Sequence, residues 1–417
     1  MTVVPPRDAD VIVVGGGPAG ASTAWSLAKD GIDVLVLDRA HFPRDKICAE
    51  YLSPQASRIF SDMGVLEEIE AAGAAHLEGM ILRAPSGKTV HGEFAGVKGF
   101  PAFRNRGLAV RRTVLDEILL RRARDSGARV EEGVRVTDVT RDSGGRVTGV
   151  AIQRAGGEKS LLRGLIVVGA DGLRSVVGRR LGLVRTRAWP RRIGLISHYR
   201  GISGMRGMGE MHVDEEGYLG LAEVGHGITN VGIVIPTSRA AKISGDREAF
   251  FASWIASRPH LAARFTGAEQ VTPVRATGPF SSVARRAYVP GAALVGDAAD
   301  FFDPFTGEGV YAALRGGEML APFVAEAIKA NGDEGLRALE GYEAARRKEF
   351  GGKWKLERIV GMAIAFPPLI NHAARALAAR KDMADLLVGV AGDFVPAEAV
   401  LNPRFLFNLF LSPASRN

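Results

Sequence analysis

The spacing of apolar positions changes several times along the chain, and each change marks a different kind of element. Residues 9–14, opening "ADVIVVGGG", form a short β-branched run with no polar alternation, as a strand buried on both faces requires. The following "PAGASTAWSLAKDG" predicts a helix starting near Pro18 and ending at Gly31, and "IDVLVLD" predicts a strand ending on Asp38. Together they make a β-α-β unit of about 30 residues. The alternation resumes between 105 and 183. There "VLDEILLRRARDSG" reads as helix, "ARVEEGVRVTDVTRD" and "GRVTGVAIQR" as strands about a Gly144-Gly145 turn, and "SLLRGLIVVGADG" as a buried strand ending in a glycine turn. From about 190 to 278 the period falls to two, in "GYLGLAEV" and "ITNVGIVIP", which predicts a mostly antiparallel sheet with one covered face. The buried-strand pattern returns in "AALVGDAADFF", and beyond about 307 the chain reads as helix to its end.

This order implies one α/β domain built from discontinuous segments, 1–80, 105–185 and 279–333. A β-rich lobe, 81–104 and 186–278, is inserted into it, and a helical region, 334–417, follows. Neither an internal repeat nor a low-complexity linker interrupts the pattern.

Composition narrows the class. At 417 residues and 46% hydrophobic, the chain can fill a large core. A net charge of +8 would suit a polyanionic partner, but the Lys and Arg are scattered beside acids, as in "RRTVLDEILLRRARD", so no nucleic acid is expected. The single cysteine, Cys48, excludes a disulfide framework and a Cys-cluster metal site and fits a reducing cytoplasm. No metal site is expected. The N-terminus lacks a signal-peptide pattern, and no stretch reaches the ~18–20 apolar residues needed to span a bilayer.

Three glycine–acid elements carry the candidate chemistry. In the first, Gly15-x-Gly17-x-x-Gly20 lies between the first strand and helix, where glycines let the backbone approach a pyrophosphate and the helix start supplies N–H groups. Pro18 and Ala19 open that helix, and Asp38 can accept from ribose hydroxyls. Arg39 would suit a 2′-phosphate, so this element alone does not choose the dinucleotide. The second, "VVGADGLRSVVGRRLG", puts Asp171 after a buried strand, with Arg174 and Ser175 in its surroundings; it serves a ligand or caps a helix beginning near Leu173. In the third, "GDAADFFDPFTGEGVYAAL", Gly296 and Asp297 end a strand, Pro304 fixes its backbone, and Gly307 and Gly309 flank Glu308 at a helix start.

In this order the three elements resemble the fingerprints of the flavoprotein superfamily that contains p-hydroxybenzoate hydroxylase, the flavin-dependent halogenases and the geranylgeranyl reductases. The likeness runs to about residue 330. It implies a Rossmann-type FAD-binding domain of the glutathione-reductase-like, p-hydroxybenzoate-hydroxylase type, with FAD rather than NAD in the N-terminal site. By that resemblance the glycine loop takes the pyrophosphate, Asp38 the adenosine ribose and Asp297 the ribityl chain. Asp171 is associated with FAD and NAD(P)H, Arg112 approaches the FAD, and Lys46 joins the cofactor set.

Two segments bear on the branch. "FPRDKICAEYLSP" resembles the "CGE-x-LSP" stretch of geranylgeranyl-reductase-like proteins, with Ala49 where the family has glycine. Cys48 reads as a residue at the flavin face or a small buried hydrophobe, and Glu50 as a site residue or part of an exposed loop. "PFTGEG" also resembles the reductase branch, which makes Glu308 a catalytic candidate. The isolated Trp25, Trp189, Trp254 and Trp354 do not form the Trp-rich halogenase motif. Tyr218 fits the substrate-facing segment of the reductases, or is an aromatic of the sheet, but Gly220-Leu221 and Ala222-Glu223 replace the Trp and Phe-Pro expected after it. The resulting expectation is a cytoplasmic FAD oxidoreductase that reduces a C=C bond in a lipophilic small molecule. Hydroxylation of an aromatic or polyketide substrate through a flavin C4a-hydroperoxide is the alternative, and a non-catalytic flavin-binding protein a minor one. Without a second GxGxxG, the donor is NAD(P)H bound transiently or a separate reductase protein. The apolar C-terminal third, from "RIVGMAIAFPPLI" to "FLFNLFL", packs over the substrate lobe or faces lipid at a membrane surface.

Overall fold

A computed structural model describes residues 6–187, 189–243, 245–330 and 332–410. Residues 1–5 of the N-terminal stretch and Leu411 of "FLFNLFL" therefore lie outside the described residues. Ala9–Val14 is the centre of a sheet, parallel on one side to Lys159–Gly169 and on the other to Val34–Asp38. Ala292–Leu294 and Arg129–Glu132 extend it in parallel at the two flanks, and Tyr288–Val289 closes one edge antiparallel. Because the central strands are covered on both faces, their continuous Val, Ile and Leu runs are fully buried. Lys159–Gly169 is long enough to leave this sheet and pair antiparallel with Val147–Gln153, which in turn pairs with Arg135–Arg141.

The first helix, Pro18–Ala28, is buried along its whole length against Gly309–Ala330. The contact is backbone-close: the Ser22 hydroxyl donates to the Leu314 carbonyl at 2.8 Å, and a Cβ on Gly317 would stand 2.7 Å from the Thr23 nitrogen.

The second sheet runs Glu269–Gln270, Arg192–Arg200, Ile228–Pro236, Gly217–Glu223, Met208–Asp214, Gly79–Arg83, Thr89–Glu93. One face is covered by helix Arg247–Ala256, through Leu195, Leu221, Ile233, Phe251 and Trp254. A single covered face is not what the structure shows. Val213, Tyr218 and Val234 on the other face pack against Phe280, Phe305, Ile364 and Ile370, because the 301–305 turn and the C-terminal helices close over it. Helices Pro367–Ala378 and Lys381–Ala391 lie against Thr89–Glu93, with Val90, Ala374, Leu377 and Met383 buried between them. Among the described residues no helix is long and apolar enough to cross a membrane, and no group of His, Cys, Asp and Glu side chains could hold a metal ion.

Candidate functional site

The glycine loop is built by close approach. Gly15 has φ +106°, and a Cβ there would lie 2.4 Å from the Ala170 carbonyl oxygen, so the loop and the 170–171 turn touch through backbone alone. Gly17 is the N-cap of the first helix and Pro18 its opening residue, where a missing N–H costs nothing. Asp38 is nearly buried. It accepts the Gly16 N–H at 2.8 Å and the Ala40 N–H at 2.9 Å, which fixes an acid at the carboxyl end of its strand. Arg39, by contrast, is exposed. The cation near Asp38 is Arg44, at 4.0 Å, which also pairs with Asp116 at 3.1 Å.

Arg112, at the start of helix Arg112–Asp125, forms a bidentate pair with Asp116 at 2.7 and 2.8 Å. Burial works against its charge, but Asp116 and the Cys48 side chain beside it more than offset that and raise its pKa. Asp171 divides its two oxygens. Oδ2 accepts the Val176 and Val177 N–H groups at 2.6 and 3.4 Å, while the buried Oδ1 has no partner among the described residues. Burial raises its pKa, against the pull of Ser175 and the backbone donors. The helix it serves begins at Val176 rather than near Leu173, and Ser175 caps it through the Gly178 N–H at 2.8 Å. Arg174 turns away and donates to the Gly278 carbonyl instead.

Asp297 follows strand Ala292–Leu294, on the one-turn segment Gly296–Ala298. Burial raises its pKa, and the cations of Lys46 and Arg112 pull it back. Lys46 is shifted down by burial, with Asp297 opposing. Pro304–Thr306 forms a short turn capped by Asp303, whose Oδ1 accepts the Phe305 N–H. Gly307 then takes φ +74° with Tyr51 against it, and helix Gly309–Ala330 starts with Gly309 facing Asp297. The Thr306 hydroxyl is buried without a hydrogen-bond partner among the described residues. Glu308 is buried, 3.9 Å from Lys353, which also pairs with Asp393; burial raises the Glu308 pKa and Lys353 opposes it.

These groups fit FAD. The glycine loop leaves no room for side chains where a pyrophosphate would lie, Asp38 stands at the ribose position, and Asp171 and Thr306 hold buried polar atoms still to be satisfied. Gly15, Gly17, Gly20, Asp38, Arg112, Asp171 and Asp297 would hold it, with Lys46 supplying positive charge.

Behind Cys48 lies a polar cluster the sequence did not reveal. Glu50 is not in an exposed loop; it is 1% exposed, at φ +62°. Its carboxylate accepts the Arg112 N–H and the Asn230 amide at 2.8 and 3.0 Å and meets His198 Nε2 at 2.8 Å, while His198 Nδ1 contacts Thr272 Oγ1. Asn230 also donates to the Cys48 carbonyl, and the Cys48 Sγ accepts the Glu50 N–H at 3.4 Å. Glu50 therefore pins the Cys48–Glu50 turn to the second sheet. Tyr218 is placed elsewhere. It is fully buried and donates to Asp303 Oδ1 at 2.6 Å, and Asp303 also pairs with Arg192. Burial, then Asp303, raises the Tyr218 pKa well above its ordinary value. His198, Asp116, Lys353 and Arg192 have no motif around them. Asp303 does carry a local signal, since a carboxylate directly before a proline, as in "DPF", is placed to cap a turn.

Comparison with known proteins follows the same geometry. The model of a family described as "FAD binding domain" matches residues 8–351. Digeranylgeranylglycerophospholipid reductase 2 of Methanopyrus kandleri is 31% identical over 393 residues, covering 93% of each chain. Menaquinone reductase of Mycolicibacterium smegmatis is 31% identical over 326 residues, 75% of each chain. Among solved structures, the myxobacterial chondrochloren halogenase CndH superposes with a TM-score of 0.80 over 90% of this chain and 91% of its own, at 24% identity.

Proposed function

Because the chain belongs to the FAD binding domain family, and is on that ground an FAD-dependent oxidoreductase, we propose that it reduces a carbon–carbon double bond in a lipophilic small molecule. NAD(P)H or a separate reductase protein supplies the electrons. The observation that carries this reading is the 31% identity to the Methanopyrus kandleri reductase across 93% of both chains. The resemblance of the Cys48–Glu50 and 304–309 segments to the reductase branch supports it, as does the contact between neighbouring Tyr51 and Gly307.

When bound, FAD supplies two-electron transfer, and the protein supplies position, charge and exclusion of water. The Gly15–Gly20 loop and the first helix start would bind the pyrophosphate, and Asp38 would orient the ribose. Lys46 and Arg112 place positive charge beside Asp297, which would keep its carboxylate ionised to accept from the ribityl chain. The Glu50–His198–Asn230 cluster keeps the Cys48 turn from moving. Saturating a double bond also takes up two protons. Glu357 lines the inner pocket, and burial, then Glu308 and Asp303, raise its pKa well above the usual carboxylate range, which favours the protonated form as a source of one of them.

The test has two stages. The purified protein should be yellow, and Asp297→Ala should bind flavin roughly 10- to 100-fold more weakly, the loss of one interaction with a charged group; a colourless wild type would refute flavin binding. The chemically reduced protein is then incubated without oxygen with prenylated lipids and prenyl quinones. A product heavier by two hydrogens supports reduction. Turnover only in air, with oxygen entering the product, would establish hydroxylation instead.

A further inference from the structure

A groove of about 780 Å³ lies outside the proposed flavin cleft, between Arg187, Trp189 and Pro190, helix Gly332–Ala363 and helices Glu398–Leu401 and Pro403–Phe410. Its walls are unusual for solvent-facing surface: Trp189, Ile359 and Met362 are 55%, 42% and 41% exposed there, with Leu406 beside them. Its size is within the range of small-molecule sites. Three cations, Arg187, Lys355 and Arg358, line the same groove, and none forms an ion pair with a carboxylate among the described residues. Arg358 uses its Nε on the Trp354 carbonyl, and the Arg187 guanidinium stands 5.9 Å over the Phe302 ring, which leaves most of their donors free. Burial and the neighbouring Arg358 and Arg185 lower the Arg187 pKa, as expected of cations held together without a counter-ion. The single carboxylate in the groove, Glu398, lies against Gly352. The groove also leads inward. Arg187, Pro190 and Arg358 are shared with a narrow inner pocket lined by Phe302, Asp303 and Glu357, next to the Pro304 turn of the flavin cleft.

From this arrangement we propose that the groove binds a single amphiphilic molecule, with an anionic phosphate or carboxylate head on Arg187 and Arg358 and an apolar chain along Trp189, Ile359 and Met362. The inference rests on the lipophilic-substrate reading above and adds the charged end. Guanidinium groups with no carboxylate partner among the described residues suit a phosphate or carboxylate through paired hydrogen bonds, whereas a neutral alcohol would leave them uncompensated.

The test is a titration of the flavin-loaded protein with dodecyl phosphate and with dodecanol, both kept below the concentrations at which they aggregate, followed by tryptophan fluorescence. Dodecyl phosphate should bind saturably and roughly 10-fold or more tightly than dodecanol. The Arg187→Gln/Arg358→Gln variant should lose that preference while still binding dodecanol, and Trp189→Phe should lose most of the signal. Equal affinity for the two probes, a preference that survives in the double variant, or a signal unchanged in Trp189→Phe would overturn the proposal. So would sedimentation with phosphatidylglycerol vesicles without binding of monomeric dodecyl phosphate, which would mark the patch as a membrane surface. Flavin colour and melting temperature are recorded on the same samples. A yellow, folded protein that ignores dodecyl phosphate refutes the groove, and a colourless one refutes the flavin reading.

Discussion

Glu50 occupies a left-handed backbone conformation that costs a non-glycine residue roughly 1–3 kcal/mol, and its carboxylate makes up for it by joining Arg112, His198 and Asn230. Glu50→Ala removes one member of a buried charged network and leaves the others uncompensated. It should lower stability by roughly 3–5 kcal/mol, read by chemical denaturation. The cluster was half legible in the sequence. The "CAEYLSP" stretch pointed to Glu50, but His198 lies 148 residues away in an ordinary strand, and only the pairing of Arg192–Arg200 with Ile228–Pro236 brings it beside Asn230. A second residue governs pH dependence. Burial, with Arg83 and His212 next, pushes the His260 pKa from 6.5 down to about 4, with Asp214 and Arg258 also facing it. His260 stacks on His212, itself held by Glu210. As pH falls the unfolded chain takes up this proton first, so His260 costs stability progressively from about pH 6.5 to about 4. The melting temperature of His260→Gln should therefore fall less than that of the wild type across this window, and parallel curves would exclude the assignment.

The β-α-β unit could be read directly from the sequence because its signals are local: a β-branched run, a glycine turn, a helix opened by proline and a strand ending on an acid. The 317 position shows what local signals miss. In sequence, Gly316-Gly317 is a weakness in the middle of a long helix. In the structure it is where helix Gly309–Ala330 comes backbone-close to Pro18–Ala28, a contact made between residues almost 300 apart. Gly317→Val would drive a side chain toward the Thr23 backbone nitrogen. Despite valine's better helix propensity, it should destabilise by roughly 1–3 kcal/mol and loosen the glycine loop at the other end of the first helix, so flavin affinity falls with the melting temperature. The covered second face of the sheet was missed for a related reason. Period two reports one buried face, and the residues that close the other, Ile364 just after one helix and Ile370 on the next, lie far along the chain in a region whose partner the sequence does not name.

At the scale of the whole molecule, the proposed flavin cleft draws on the N-terminal loop, the 170–176 turn and the 296–309 turn, so a bound cofactor would be a tie between distant segments. A ligand that binds only the folded form adds about 2.7 kcal/mol at 100 times its dissociation constant. Removing FAD should accordingly lower the melting temperature, and re-adding it should restore the midpoint; an unchanged melt would show that the cleft folds independently of its occupant.

Helix Gly332–Ala363 has a consequence for engineering. Near its start, Glu343 accepts the Ala287 N–H and Arg346 pairs with Asp300, which anchors it to the cofactor domain. Farther on it presents Lys353 to Glu308, Glu357 to the inner pocket and the Gly361 carbonyl to Arg192 of the second sheet. From Glu343 to Gly361 it measures about 27 Å at ~1.5 Å per residue, so it acts as a ruler between the two lobes. A one-residue deletion in it would turn every later contact by about 100° at once. Chimeras that exchange the sheet lobe between relatives should therefore keep function only when this helix is transplanted in register with it.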